Sequence, residues 1–426
     1  MNAGPLRRNE RIRSVDVLRG FALLGIIVVN GPIFALPMAA MLDASFAPAG
    51  LLDRATAALI SILAEAKFIS TFSLLFGFGL AMQRARRLES TGSFAPFGVR
   101  RMLILGAIGF LHVLFLWFGD VLFIYAAIGL AMIPLLMVPA PVRLGLGLGA
   151  IAFSSLAVTG LAFLGTIDGG PAAEDPGEVL RGFKAMSAAM FDPTNPIWIS
   201  AETLANSEGP WTESLLFRMV NWAFSLIAVV LGYGWHVLGM ILIGSWMHDR
   251  DFFGKSAVGL RNRLAGLLLP IGLVLAFTLG AVEWNTGPLS VPSLSLQWLQ
   301  GISAALISIG MVSAISRLVE LGRMPLAKAF ETVGRMSLSA YLLESLLFCA
   351  VVQHWGLGWF GRLGSFQILL LSIGIYVLVV LACTLWSRFR PMGPMEWLWR
   401  QGSYLGIDRG LDRGRRTGVE NVSRSP

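Results

Sequence analysis

Residues 15–36 read VDVLRGFALLGIIVVNGPIFAL, and within them only Asp16 and Arg19 carry charge, both in the first five positions. As a helix this stretch extends about 33 Å, enough to cross the roughly 30 Å hydrocarbon core of a bilayer. The run lacks a convincing small-residue cleavage site, so it is expected to stay in place as a signal anchor. Similar apolar runs recur along the chain. They place spans near 57–82, 101–118, 121–138, 143–165, 219–247, 261–281, 296–316, 332–352 and 366–387.

The expected fold is therefore an all-α integral membrane protein of about ten transmembrane helices. Composition agrees. Of the 426 residues, 55% are apolar and 14% charged, against about 25% charged in an average soluble domain. The mean hydropathy is +0.71. The 48 glycines and 20 prolines suit spanning helices, where both residues are commoner than in soluble ones.

Charge sets the orientation. With the N-terminus inside, 25 of the 33 Lys and Arg residues fall in cytoplasmic segments and 5 in outer ones. That bias follows the positive-inside rule and predicts that both termini are cytoplasmic. The net charge of +8 is read as basic loops facing anionic lipid. The bilayer is thus the expected partner and nucleic acid is not; a homo-oligomer is left open. Cys349 and Cys383 lie in apolar runs with no CxxC or HxxxH spacing, so neither a disulfide framework nor a metal site is expected.

Five segments follow from this layout: a basic tail at 1–14, a bundle at 15–165, an outer loop at 166–218, a second bundle at 219–387 and a basic tail at 388–426. The outer loop holds Pro171, Pro176, Pro193, Pro196 and Pro210. Its length suits a lid over an extracytoplasmic opening.

Polar residues inside spans mark either sites or buried pairs. Arg19 and Asn30 are 11 residues apart, about three helical turns, and share a face. Asp16, one turn before Arg19, offers it an interfacial ion pair. Glu65 and Lys67 are two apart and face different ways, so each needs another partner. For Lys67 the choices are Asp120, Glu344 or an anionic substrate. Ser73 follows on the same helix. His112 and the turn residue Asp120 lie about 12 Å apart if the helix continues, too far to bond but able to line one cavity. His112 is either a packing histidine or a general base. Arg335, Ser337, Ser339, Tyr341, Glu344 and Ser345 form a polar run in the ninth span, where the serines read as interhelical glue. His236 reads as a core histidine. Gly145, Gly147 and Gly149 lie in an apolar span and read as close helix packing.

Several blocks together resemble the YeiB-type proteins of the bacterial domain-of-unknown-function 418 family. They are Ser14 to Gly25 ending at Val29-Asn30, Lys67-Phe68 with Phe72 to Gly77, and His112 with Gly119 to Leu122 and Tyr125-Ala126. Gly334 to Leu338 with Tyr341 to Leu343 and Ser345 is another, and Gly393 to Arg400 closes the set. The resemblance covers roughly residues 13–405 and implies a bacterial inner-membrane, multi-pass protein. Ala340 and Glu344 stand where the family pattern has Asn and Gln, so no role for Glu344 carries over. The first helix is also similar to that of membrane acyltransferases of the acyltransferase-3 type, which carry a histidine where this chain has Asn30. The heparan-alpha-glucosaminide N-acetyltransferase group looks similar there and also has Asn.

Two functions are expected from this combination. One is an acyltransferase that takes acyl-CoA from the cytosol and modifies an extracytoplasmic, lipid or sugar acceptor. His112 would be its base and Asp120 would orient the acceptor. Asn30 and Ser73 would contact the acceptor or oxyanion, and Arg19, Lys67, Arg335 and Glu344 would line the substrate path. The other is a small-anion or metabolite carrier using Lys67, Glu65, His112 and Glu344 as a relay.

Overall fold

The structure is a computed structural model describing residues 12–38, 40, 50–164, 196–288 and 290–404. Every regular element among these is helical. They are α1 (Arg13–Ala35), α2 (Leu51–Leu63), α3 (Lys67–Thr91), α4 (Ala95–Phe115), α5 (Leu122–Leu135) and α6 (Ala140–Leu164). After the gap come α7 (Pro196–Ser207), α8 (Trp211–Ala228), a π-helical turn (Val229–Tyr233), α9 (Gly234–Asp249) and α10 (Val258–Thr286). The chain ends with α11 (Val291–Ser295), α12 (Trp298–Glu320), α13 (Ala327–Arg335), α14 (Ser337–Val352), α15 (Ser365–Trp386) and α16 (Pro394–Tyr404).

Among the described residues eight helical stretches are long and apolar enough to cross a membrane, nine if α13 and α14 count as one span. The remaining expected span, near 121–138, is the 14-residue α5. At about 21 Å it is shorter than the hydrocarbon core. The expected outer loop is partly helical: α7 and the first turns of α8 occupy its second half, and the lid expectation for 166–195 lies outside the described residues.

Three spans expected to be continuous are interrupted. The second breaks between α2 and α3, where Ala66 adopts φ +62°. A span over Trp211–Asp249 carries the π turn at its middle. The ninth bends by 93° between α13 and α14. That bend exposes the amide groups that open α14, and the Glu396 carboxylate covers them. It accepts from Leu338 N at 2.6 Å and Ser339 N at 3.1 Å, and Ser339 Oγ donates to its second oxygen. An anion at a helix N-terminus satisfies orphan donors and the helix dipole together. Two of the sequence blocks thus meet in space.

The bundle core is built by close backbone approach. A side chain on Gly77 would strike the Ile241 carbonyl and one on Gly244 the Leu74 carbonyl, so α3 and α9 pack reciprocally through two glycines. Small residues permit this contact where lipid supplies no hydrophobic drive between helices.

Candidate functional site

A cavity of about 280 Å³ lies among α1, the α2–α3 break, α6, the π turn, α9 and the start of α12. Its polar lining is Asn30, Glu65, Ser154, Ser155, Tyr233, His236, Gln297 and Gln300; most of the rest is apolar, including Ile26, Val29, Phe68, Ile69 and Val158. An apolar chamber with a few convergent polar groups is the usual form of a small-molecule site. Non-helical backbone at membrane depth is tolerated where it lines a cavity, and here Glu65 and Ala66 of the break do so. The π turn contributes Tyr233, whose ring stacks on His236 at 6.1 Å. Such turns occur often at functional sites.

The bonding of Ser70 favours one tautomer of His236. The Ser70 hydroxyl donates its one hydrogen to the Ala66 carbonyl at 2.5 Å, so its oxygen accepts from His236 Nε2–H at 2.6 Å. The lone pair then resides on Nδ1, which has no hydrogen-bond partner. Ser155 Oγ is likewise unpartnered. Both atoms lie within 4 Å of the point where a Gly301 side chain would begin, so the bare Gly301 keeps the space between them open. His236 is buried and hydrogen-bonded, as a core histidine is expected to be, and its other nitrogen also faces the cavity wall. The signal in the sequence was slight: His236 is one of two histidines placed in a span, with Gln297 and Gln300 three residues apart at the start of another.

The expected site residues are not gathered in one place. Asn30 lines the cavity. Lys67 does not: its Nζ donates to the Ser61 carbonyl at 2.8 Å, capping the broken end of α2 with a cation. It forms no ion pair with Asp120 or Glu344. Ser73 Oγ donates to the Ile69 carbonyl at 2.7 Å and lies 2.9 Å from the Tyr125 hydroxyl, fully buried. Glu344 is buried away from the cavity, one carboxylate oxygen unpartnered. Arg19 stands nearer the other end of α1 than Asn30, with its Nη1 3.9 Å from Asp16 Oδ1. Arg335 ends α13 at the 93° bend, with Nε buried and unpartnered.

His112 and Asp120 are closer than a continuing helix would allow. Helix α4 stops at Phe115, the chain turns, and Asp120 Oδ1 comes to 3.0 Å from His112 Nδ1. The contact is poorly aligned as a hydrogen bond, and His112 Nε2 has no partner. Both side chains are fully enclosed. Neither lines the cavity; Val121, the next residue after Asp120, does, and its amide donates to the Tyr341 hydroxyl at 3.4 Å.

A second, water-sized space of about 10 Å³ lies beside Trp117, lined by Glu202, Asn206, Arg218, Asn221 and Gln353. Glu202 accepts from Asn221 Nδ2 at 2.6 Å and from Met38 N at 3.2 Å. Burial pushes its carboxyl up to about 7. Neither Glu202 nor its partners stood out in the sequence.

Comparison with known proteins follows the same outline. A family model described as "Protein of unknown function (DUF418)" matches residues 246–406. The chain is 30% identical over 404 residues to "Uncharacterized protein YeiB" of Escherichia coli (strain K12), covering 92% of this chain and 96% of that protein. It is 27% identical over 413 residues to "Uncharacterized protein YxaH" of Bacillus subtilis (strain 168), covering 94% and 96%. No solved structure matches it.

Proposed function

The chain belongs to the YeiB-type DUF418 family of multi-helical proteins with helices able to span a membrane, and from its cavity we propose that it is a membrane-embedded acyltransferase. The observation that carries this reading is the unpartnered Nδ1 of His236, held as a lone pair beside the open space next to Gly301. A neutral imidazole so placed is a general base. The acceptor is an amphipathic molecule with a hydroxyl or amine head, which matches a chamber that is mostly apolar with amide and hydroxyl groups on its wall.

In the proposed step the acceptor O–H or N–H proton passes to His236 Nδ1. The freed oxygen or nitrogen bonds to the thioester carbonyl carbon of acyl-CoA, the donor. The C–S bond breaks, and the departing thiolate takes the proton back from the imidazole. Asn30, Gln297 and Gln300 are the side-chain amides available to steady the oxyanion. Ser70 positions the ring. His112 and Asp120, first in line on sequence grounds, do not line this cavity; the His112 ring packs on Tyr341, whose hydroxyl accepts from the amide of Val121 on the cavity wall.

Orientation supports the acceptor's side. The cavity residues occupy the later halves of α1 and α6 and the start of α12. With both termini cytoplasmic, as the charge bias favours, these ends face outward. A second reading, a carrier without catalysis, draws on the broken α2–α3 span, since interrupted helices at a central cavity are common in transporters.

The test is mass spectrometry of membrane lipids and cell-surface glycans from cells with and without the protein, followed by turnover of the purified parent and His236→Gln. An acylated product that depends on the protein, and a loss of about a hundredfold or more in turnover at unchanged thermal stability, are expected. Equal turnover in His236→Gln refutes the base. No acylated product, together with solute flux in proteoliposomes, replaces the enzyme with the carrier.

A further inference from the structure

Two buried side chains on the cavity wall each leave a polar atom unbonded. Ser155 of α6 is 5% exposed and His236 of α9 is 2% exposed, and both line the cavity. Neither Ser155 Oγ nor His236 Nδ1 has a hydrogen-bond partner among the described residues. An enclosed polar atom without a partner is costly, and two that border one space mark a place for a third group. From the point where a side chain on Gly301 would begin, Ser155 Oγ is 2.5 Å away and His236 Nδ1 is 3.8 Å away. The two atoms are therefore no farther apart than those lengths laid end to end, and they do not bond to one another. Two hydrogen bonds of about 2.8 Å that meet at one shared atom bridge a gap of this order. Gly301 of α12 keeps the gap clear, because the Cβ of any other residue would enter it.

The two atoms require different things of what lies between them. With Nε2–H bonded to Ser70, neutral His236 carries a lone pair on Nδ1 and can only accept there. The Ser155 hydroxyl is free to donate. The bridging group must therefore donate to one neighbour and accept from the other. A hydroxyl does both and keeps a second lone pair for attack on a carbonyl carbon. An ether oxygen has nothing to donate to Nδ1. An alkylamine is an ammonium ion near neutral pH, with no lone pair to accept or attack, and it would carry its charge into a mostly apolar chamber.

We propose that Ser155 and His236 clamp the hydroxyl group of an amphipathic alcohol, and that Ser155 is the residue that selects an alcohol over an amine. The bond from Ser155 Oγ turns the alcohol O–H toward His236 Nδ1, the atom that takes its proton in the transfer. The inference rests on the acyltransferase reading for the fate of the alcohol, whose class it narrows; the clamp itself rests on the geometry of the gap.

Saturable binding of decanol, decyl methyl ether and decylamine to the full chain in phosphatidylcholine liposomes, corrected for uptake by protein-free liposomes, tests the clamp without an acyl donor. The parent is expected to hold decanol about tenfold more tightly than either other probe, the scale of one hydrogen bond. Gly301→Ala puts a methyl group into the gap and leaves both polar residues in place. Alanine suits a helix position and the Ser155 hydroxyl can turn aside, so this variant is expected to fold and to lose the preference. Ser155→Ala is expected to lower it severalfold. In a chain carrying isotope-labelled histidine, decanol but not the ether should shift the Nδ1 resonance that His236→Gln removes. Equal binding of the three probes overturns the clamp. So does tighter binding of decylamine, or a decanol preference unchanged in Gly301→Ala and Ser155→Ala. If the preference holds and no acyl-CoA is consumed with decanol as acceptor, the acyltransferase reading falls alone; if decanol is acylated without any binding preference, the clamp falls alone.

Discussion

Replacing Glu202 by Gln should remove a pH dependence from the α7–α8 hairpin. Glu202 is 1% exposed, and burial pushes its carboxyl from the ordinary 4.5 to about 7, against the opposing pull of its bonds from Asn221 and Met38. The folded chain therefore holds the proton more tightly than the unfolded one. Stability is full below about pH 4.5, where both states are protonated. It falls as the unfolded carboxyl ionises, and levels off once pH passes the folded value near 7. At about 1.4 kcal/mol per tenfold in proton affinity, the loss across that window is roughly 3 kcal/mol. Because the group is enclosed, solvent screening takes little from this figure. Gln keeps the shape and one acceptor oxygen and never ionises, so Glu202→Gln should gain roughly that amount over the parent at pH 8 and little at pH 4.5. Hydrogen–deuterium exchange of peptides covering 198–221, measured in detergent from pH 4.5 to 8 and corrected for intrinsic exchange, reads the local opening directly. If the parent and Glu202→Gln show the same pH slope of protection, the carboxyl is already ionised or hydrated in the folded state and the reasoning fails.

Gly244→Val would drive a branched side chain into the Leu74 carbonyl, and a rigid backbone cannot yield as a flexible side chain would. A loss of about 3 kcal/mol or lower expression is expected in thermal unfolding, on the scale of overpacked cores; an unchanged midpoint would mean that α3 and α9 are less closely packed than this. Glu396→Ala leaves the amides of Leu338 and Ser339 without their acceptor. It should cost about 2–3 kcal/mol, with faster exchange confined to the first turn of α14; Glu396→Gln, which retains one acceptor, should lose less.

The sequence by itself determined the class of the protein. Long apolar runs such as 15–36 have no stable arrangement in water, and inside a bilayer every backbone group must be satisfied within a helix. Helix existence is therefore a local property. The ends of α1, α10 and α15 fall within a few residues of the runs that predicted them. Asn30 was legible as a candidate for the same reason, because a polar side chain late in an apolar helix needs somewhere to go.

Tertiary structure decided the interruptions and, through them, the site. Nothing in Ala64-Glu65-Ala66-Lys67 is a helix breaker. Side chains at the break and across the bundle hold it in place. Lys67 Nζ caps the Ser61 carbonyl, and the Ser308 hydroxyl, 241 residues away in sequence, donates to the Lys67 carbonyl. The bend at Met336 is likewise compensated by Glu396, 60 positions on, and the meeting of His112 with Asp120 depends on α4 stopping at Phe115. His236 looked like packing because its neighbours were invisible: only the folded chain shows that the Ser70 oxygen accepts a hydrogen bond from its Nε2–H and that Gly301 leaves its other nitrogen beside open space. Apolar transfer acts residue by residue and can be read along a line. Hydrogen-bond satisfaction is settled between segments far apart in the chain, and it is known only when they meet.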